Sequence, residues 1–165
     1  MPASEAPVLD LRQHAAAAPE RVAIVCGDRR LHYGELEALA NRCAAVFRQL
    51  GLQRGDHVAT LLGNAPEGLA VAWAAWRCGL YLTPMSTALT TPELHYLVRD
   101  CDARAVVAGA DWAGLLRADD SLHWLSLHGN APGFTALEPL LAAASPLPQA
   151  DEPPGALMMY TSGTT

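Results

Sequence analysis

Three runs of continuous apolar character, VATLL (58–62), YLTPM (81–85) and ARAVVA (103–108), alternate with segments of helical periodicity, and a fourth, ALMMY, follows at 156–160. Strands that stay apolar rather than alternating with polar residues are buried on both faces, and helices between them supply the cover. The pattern predicts an α/β fold, a largely parallel sheet flanked by helices, with strands over 58–62, 105–108 and 156–160. Of the residues, 51% are hydrophobic and 17% charged, enough apolar material in 165 residues for the core of one domain.

The helices can be placed by periodicity and punctuation. Leu36, Leu39, Ala40, Cys43, Val46, Phe47 and Leu50 share one face of a helix over 34–50, ended by Gly51, with Asn41 and Arg42 read as part of its solvated face. A second helix over 66–78 begins at Pro66 and stops at Gly79. Its stripe of Leu69, Trp73 and Trp76 amid alanines predicts burial on nearly all sides, with the tryptophans in the core rather than lining a ligand pocket. A third, over 92–101, has Thr91 as N-cap, Pro92 at its first position and Glu93 in its first turn. VAIVC (22–26) and LHY (31–33) around Gly27–Arg30 read as a hairpin at the sheet margin. DWAGLLR (111–117) reads as a short helix, LHWLSL (122–127) as a strand, and Thr135-x-x-Glu138 as a capping box before LEPLLAAA. SPLPQADEPPG (145–155) reads as a proline-rich surface crossing.

A net charge of −6 without a run of like charges gives no footprint for nucleic acid or an anionic membrane. The N-terminal twenty residues lack the apolar core of a signal peptide. LAVAWAAW (69–76), the longest apolar run, is far short of the roughly 20 residues that cross a bilayer. Cys26, Cys43, Cys78 and Cys101 are scattered, as expected of reduced core thiols in a cytoplasmic protein, and the six histidines show no zinc-ligand spacing.

Chemistry concentrates at the end of ALMMY, where the chain runs into Thr161, Ser162, Gly163, Thr164 and Thr165. In parallel sheets ligands sit at the carboxyl ends of strands. A glycine-containing turn there can aim backbone N–H groups at an anion, while Ser and Thr hydroxyls reach phosphate oxygens or Mg²⁺. Neither G-x-x-x-x-G-K-[ST] nor G-x-G-x-x-G occurs, so such a loop would be of another kind. An ordinary polar turn uses the same residues, and taken alone these five leave both readings open.

The segment YTSGTT (160–165) resembles the start of the phosphate-binding loop of the AMP-forming, adenylate-forming superfamily: acyl-CoA synthetases, peptide-synthetase adenylation domains and luciferases. From Pro19 onward four further segments, RRLHYGELEALANRCA (29–44), GLQRGDHVATLLGNAPE (51–67), AAWRCGLYLTPM (74–85) and LTTPELHYLVRDCDARAVV (89–107), resemble that family in its own order.

The resemblance implies a two-step ligase. A carboxylate attacks the α-phosphate of ATP to give acyl-adenylate and pyrophosphate, and a thiol, usually that of coenzyme A, then displaces AMP. It implies that Thr161, Ser162, Gly163, Thr164 and Thr165 bind the ATP phosphates, with Thr161 the hydroxyl nearest Mg²⁺. The family's loop continues to a second glycine and a Pro-Lys-Gly segment, which this sequence does not contain. The expectation is therefore an incomplete N-terminal portion (1–165) of the adenylation domain of a fatty or aromatic acid ligase. Without its acyl pocket, Mg²⁺ carboxylate and small C-terminal domain, the 165-residue chain is expected to be inactive and to carry no catalytic residue. Its unfinished sheet is expected to favour self-association. The rival readings are a peptide-synthetase adenylation domain, whose acceptor is a carrier-protein thiol, and a non-catalytic module.

Overall fold

The computed structural model describes residues 10–160. Six parallel strands form its central sheet, in the order β7-β6-β5-β3-β4-β8. In chain order the elements are α1 (Leu11–Ala17), β1 (Val22–Cys26), β2 (Arg29–His32), α2 (Tyr33–Gln49), β3 (His57–Leu61), α3 (Pro66–Arg77), β4 (Tyr81–Pro84), α4 (Thr91–Asp100), β5 (Ala103–Gly109), α5 (Ala110–Ala113), β6 (His123–Leu127), β7 (Thr135–Ala136), α6 (Leu137–Ala143) and β8 (Ala156–Leu157).

The apolar strands β3, β5 and β6 are buried from both sides, as their sequences require, whereas β8, at the sheet edge, is exposed despite its apolar sequence. On one face Val58, Leu82, Val107 and Leu125 pack with residues of α1, α2, α3 and α6, such as Leu11, Phe47, Val71 and Leu137. On the other, Ala59, Leu61, Val106 and Trp124 meet α4 and α5 through Leu94, Val98 and Ala113. The result is a helix–sheet–helix α/β layer structure.

Several local expectations are corrected. The hairpin is tighter: Gly27 (φ +57) and Asp28 alone make the turn, Arg29 and Arg30 lie in β2, and Tyr33 already opens α2. The hairpin is also a separate two-stranded sheet. Helix α4 is capped by Thr90 rather than Thr91, because Glu93 reaches back to Thr90 N (2.7 Å) and Oγ1 (2.6 Å) and sets the start one residue earlier.

Thr135 and Glu138 do not form a capping box. Thr135 belongs to β7, paired with Leu125, and Glu138 accepts instead from His128 N at 2.5 Å. Helix α3 is not buried all round: Leu69 is 50% exposed and Trp73 and Trp76 are only partly covered.

Asn41 is not on a solvated face. It is 2% exposed because it accepts from Arg77 Nη1 (2.6 Å) and donates to Glu37 Oε1 (3.2 Å) and Pro146 O (3.0 Å). Its neighbour Arg42 donates through Nη1 to Leu141 O (2.9 Å) and Ala144 O (2.6 Å), serving the orphan carbonyls at the end of α6.

Strand β8 is shorter than the apolar run 156–160. Ala156 N donates to Leu80 O and Met158 N to Leu82 O, so the next rung of a parallel ladder needs an N–H at residue 84. That residue is Pro84, which has none, and the ladder stops there.

Candidate functional site

The carboxyl ends of the strands form a rim under the β1–β2 hairpin. Two glycines bring backbone and aromatic ring together there. A Cβ on Gly63, just past β3, would overlap the Trp112 ring, and one on Gly109, ending β5, would lie 2.8 Å from Trp112 Cε3. Trp112 therefore lies flush on the outlets of both central strands, and a side chain at either glycine would have to displace its ring.

Beside this lies a cleft of about 660 Å³, lined by Ile24 and Val25 of the hairpin, Thr60 and Leu62 at the end of β3, and Leu69 and Ala72 of α3. Polar contacts fix the hairpin over the cleft. Cys26 Sγ donates to Asn64 O at 3.1 Å, and Arg29 forms a two-pronged pair with Glu67 at 2.5 and 3.3 Å. His128, beyond β6, approaches the same carboxylate at 3.3 Å. Burial alone would raise the Glu67 carboxyl, but the Arg29 bonds, its own backbone N–H and His128 hold it below its ordinary value. Thiol chemistry is not prepared inside the core: burial pushes Cys43 up to about 12 and also raises Cys78 and Cys101.

Between α6 and β8 the chain passes along α2 to reach the far edge of the sheet, held at successive points. Asn41 holds Pro146 O, Arg48 donates to Asp151 O, and Arg12 pairs with Glu152 at 2.5 Å. Gly155 N donates to Trp76 O at 2.7 Å. A Cβ on Gly155 would overlap the Leu80 carbonyl and lie 2.8 Å from Trp76 Cα, so only glycine fits where the crossing enters the sheet. At the other end of the segment Tyr160 Oη donates to Asp100 Oδ2 at 2.6 Å. Burial, and then the bond to that carboxylate, push the phenol above its ordinary range.

This sequence of anchors carries the chain along β4 as far as Tyr160. Thr161, Ser162, Gly163, Thr164 and Thr165 follow and lie outside the described residues. The anchors were not anticipated, and Gly155 after a proline pair was their one sequence signal. Among the described residues no cluster of three or more His, Cys, Asp or Glu side chains could hold a metal, and no helix is long and apolar enough to cross a membrane.

Residues 11–165 match the family model described as AMP-binding enzyme. The chain belongs to the AMP-binding enzyme family. Within the family it is 33% identical over 172 residues to the long-chain-fatty-acid–CoA ligase FadD13 of Mycobacterium tuberculosis, covering 94% of this chain and 32% of the relative. It is 31% identical to the 2,3-dihydroxybenzoate-AMP ligase of Bacillus subtilis, covering 94% of this chain and 30% of the relative. Among solved structures, the N-terminal domain of FACL13 from M. tuberculosis superimposes with a TM-score of 0.79 at 32% identity, covering 92% of this chain and 40% of that one. The chain thus spans about a third of the length of these two curated relatives.

Proposed function

We propose that this chain is the N-terminal portion of the adenylation domain of an AMP-forming acid–thiol ligase, which activates a fatty or aromatic carboxylic acid with ATP and passes it to coenzyme A. The single observation that carries the reading is the match of residues 11–165 to the AMP-binding enzyme family, which takes in the segment 161–165. The named relatives, a fatty-acid–CoA ligase and an aryl-acid–AMP ligase, support an acid as substrate.

On this reading Thr161, Ser162, Gly163, Thr164 and Thr165 bind the β and γ phosphates of ATP. Hydroxyls and backbone N–H groups are hard donors that fit phosphate oxygens, and Thr161 would supply one hydroxyl to Mg²⁺. The bound ion would spread the charge of the departing pyrophosphate. The chain's own contribution on this reading is positional: the anchors from Asn41 to Tyr160 hold the segment that precedes the loop, and donors held in advance would need no rearrangement as charge develops. The acyl pocket, the carboxylate for Mg²⁺ and the small C-terminal domain belong to the rest of the enzyme, so the 165-residue chain alone should be inactive.

The test is carboxylate-dependent exchange of pyrophosphate into ATP. The 165-residue chain should show none and the longer enzyme should show it. In the latter, Thr161→Ala or Thr165→Ala should slow adenylate formation by about 10²-fold, the scale of a lost transition-state donor. Transfer to coenzyme A from preformed acyl-adenylate should change far less. Parental adenylation rates in both variants would make these threonines ordinary turn residues.

A further inference from the structure

At the opposite end of the sheet, where β5 opens with Ala103 and Arg104 and β6 follows Leu122, two adjoining concavities of about 380 and 340 Å³ lie between α4 and the connection from α5 to β6. His95, Arg99 and Arg117 line both. All eleven basic side chains of this acidic protein are arginines. Arg12, Arg29 and Arg77 are paired with carboxylates, and Arg42 and Arg48 hold carbonyls. The other six form no ion pair among the described residues and are all exposed: Arg21, Arg30 and Arg54 lie elsewhere, while Arg99, Arg104 and Arg117 gather at these two concavities.

The hollow is partly organised in advance. Arg99 Nε donates to His95 O at 3.3 Å, which steadies the stem and leaves the terminal guanidinium nitrogens as a free fork. Arg117 N donates to His95 Nε2 at 3.2 Å, so a neutral His95 carries its proton on Nδ1 and presents a donor there. Two carboxylates share the second concavity, Asp102 and Asp119. Asp119 is taken up by Ser121 N (2.9 Å) and Oγ (2.5 Å). The first concavity, completed by Thr91 and Pro92, has no acidic lining residue.

We propose that this concavity binds a phosphate group, gripped by the forks of Arg99 and Arg117 with His95 between them. Two planar guanidinium forks match the oxygen geometry of phosphate and balance its double charge, which a point-charge cation does less selectively. The site stands at the amino ends of β5 and β6 and does not rest on the proposed ATP loop. Its phosphate can come from a soluble phosphate monoester or from a lipid headgroup.

The experiment titrates the 165-residue protein with inorganic phosphate at constant ionic strength, following the amide resonances of Thr91–Arg99 and Arg117 by NMR. Saturable shifts confined to these residues are expected. The double variant Arg99→Gln/Arg117→Gln should bind about tenfold or more weakly, while Arg21→Gln/Arg30→Gln, with the same change of net charge, should bind as the parent does. Flotation with phosphatidylcholine vesicles containing phosphatidic acid separates the sources: capture lost in the first variant assigns the headgroup, and phosphate binding without capture assigns a soluble monoester. Shifts that do not saturate, or that weaken equally in both double variants, overturn the proposal.

Discussion

Replacing Gly155 by alanine should detach β8 from the sheet. The φ of Gly155 lies outside the left-handed region, so the penalty comes from contact rather than backbone strain. The new methyl would meet backbone, the carbonyl of Leu80, Cα of Trp76 and the carbonyl of Ala75 at 2.9 Å, none of which can rotate aside. The crossing must therefore lift, with loss of the bonds Gly155 N–Trp76 O (2.7 Å), Ala156 N–Leu80 O (3.1 Å) and Met158 N–Leu82 O (2.8 Å). At about 1 kcal/mol net for each bond the cost is roughly 3 kcal/mol, offset by under about 1 kcal/mol because alanine restricts the unfolded chain. Urea unfolding should show a net loss of about 2 kcal/mol, and hydrogen exchange should accelerate at amides 155, 156 and 158. Gly114→Ala is the control: its φ is −64 and a Cβ there meets open space, so stability should hold or rise. Parental stability of Gly155→Ala, with the three amides still protected, would refute the argument.

Further outcomes follow from other contacts. Arg77→Ala leaves the Glu37 carboxylate, 13% exposed, and Asn41 without their shared partner, and chemical denaturation should register a loss of about 3 kcal/mol. The Glu67 carboxyl titrates below its ordinary value of 4.5, so its stabilisation is complete above that value and disappears as pH falls through the lower folded value. Glu67→Gln should flatten the dependence of stability on pH in that acid window, read by thermal melts across it. Leu157, 48% exposed, and Met159, 62% exposed, lie along the β8 edge, and the chain should associate with rising concentration. Leu157→Lys should suppress that association in sedimentation velocity.

The layer structure was legible because strands and helices differ in apolar period over many residues: α2, α3 and the central strands fall where periodicity puts them. Features set by one distant partner were not legible. Asn41 reads as surface on its own helix and becomes core through Arg77 and Pro146, remote in sequence. Thr135 and Glu138 have the spacing of a cap, but pairing with β6 and the amide of His128 claim them first. β8 ends early because of a proline in its neighbour, not because of anything in ALMMY. Helix α1 escaped notice because alanines and charges blur its apolar face, of which Leu11 and Ala15 alone are buried. In the candidate site the hydroxyl-rich run after a strand is plain in the letters, whereas the anchors before it join residues far apart in sequence, through the carbonyls of Pro146, Asp151 and Trp76 and the carboxylates of Glu152 and Asp100, which no local pattern announces.

The sheet order has a kinetic consequence. β7 closes one edge and β8, the strand that follows it, closes the other. To be laid down, β8 needs β4 as a template and α2 as a track, so its docking must come after most of the core has assembled, with loop-closure entropy paid over a long span of chain. Contacts made that late are absent from the rate-limiting nucleus. Weakening the crossing will therefore quicken unfolding while leaving the folding rate nearly untouched, and the segment preceding Thr161 becomes able to open and reclose while the rest stays folded.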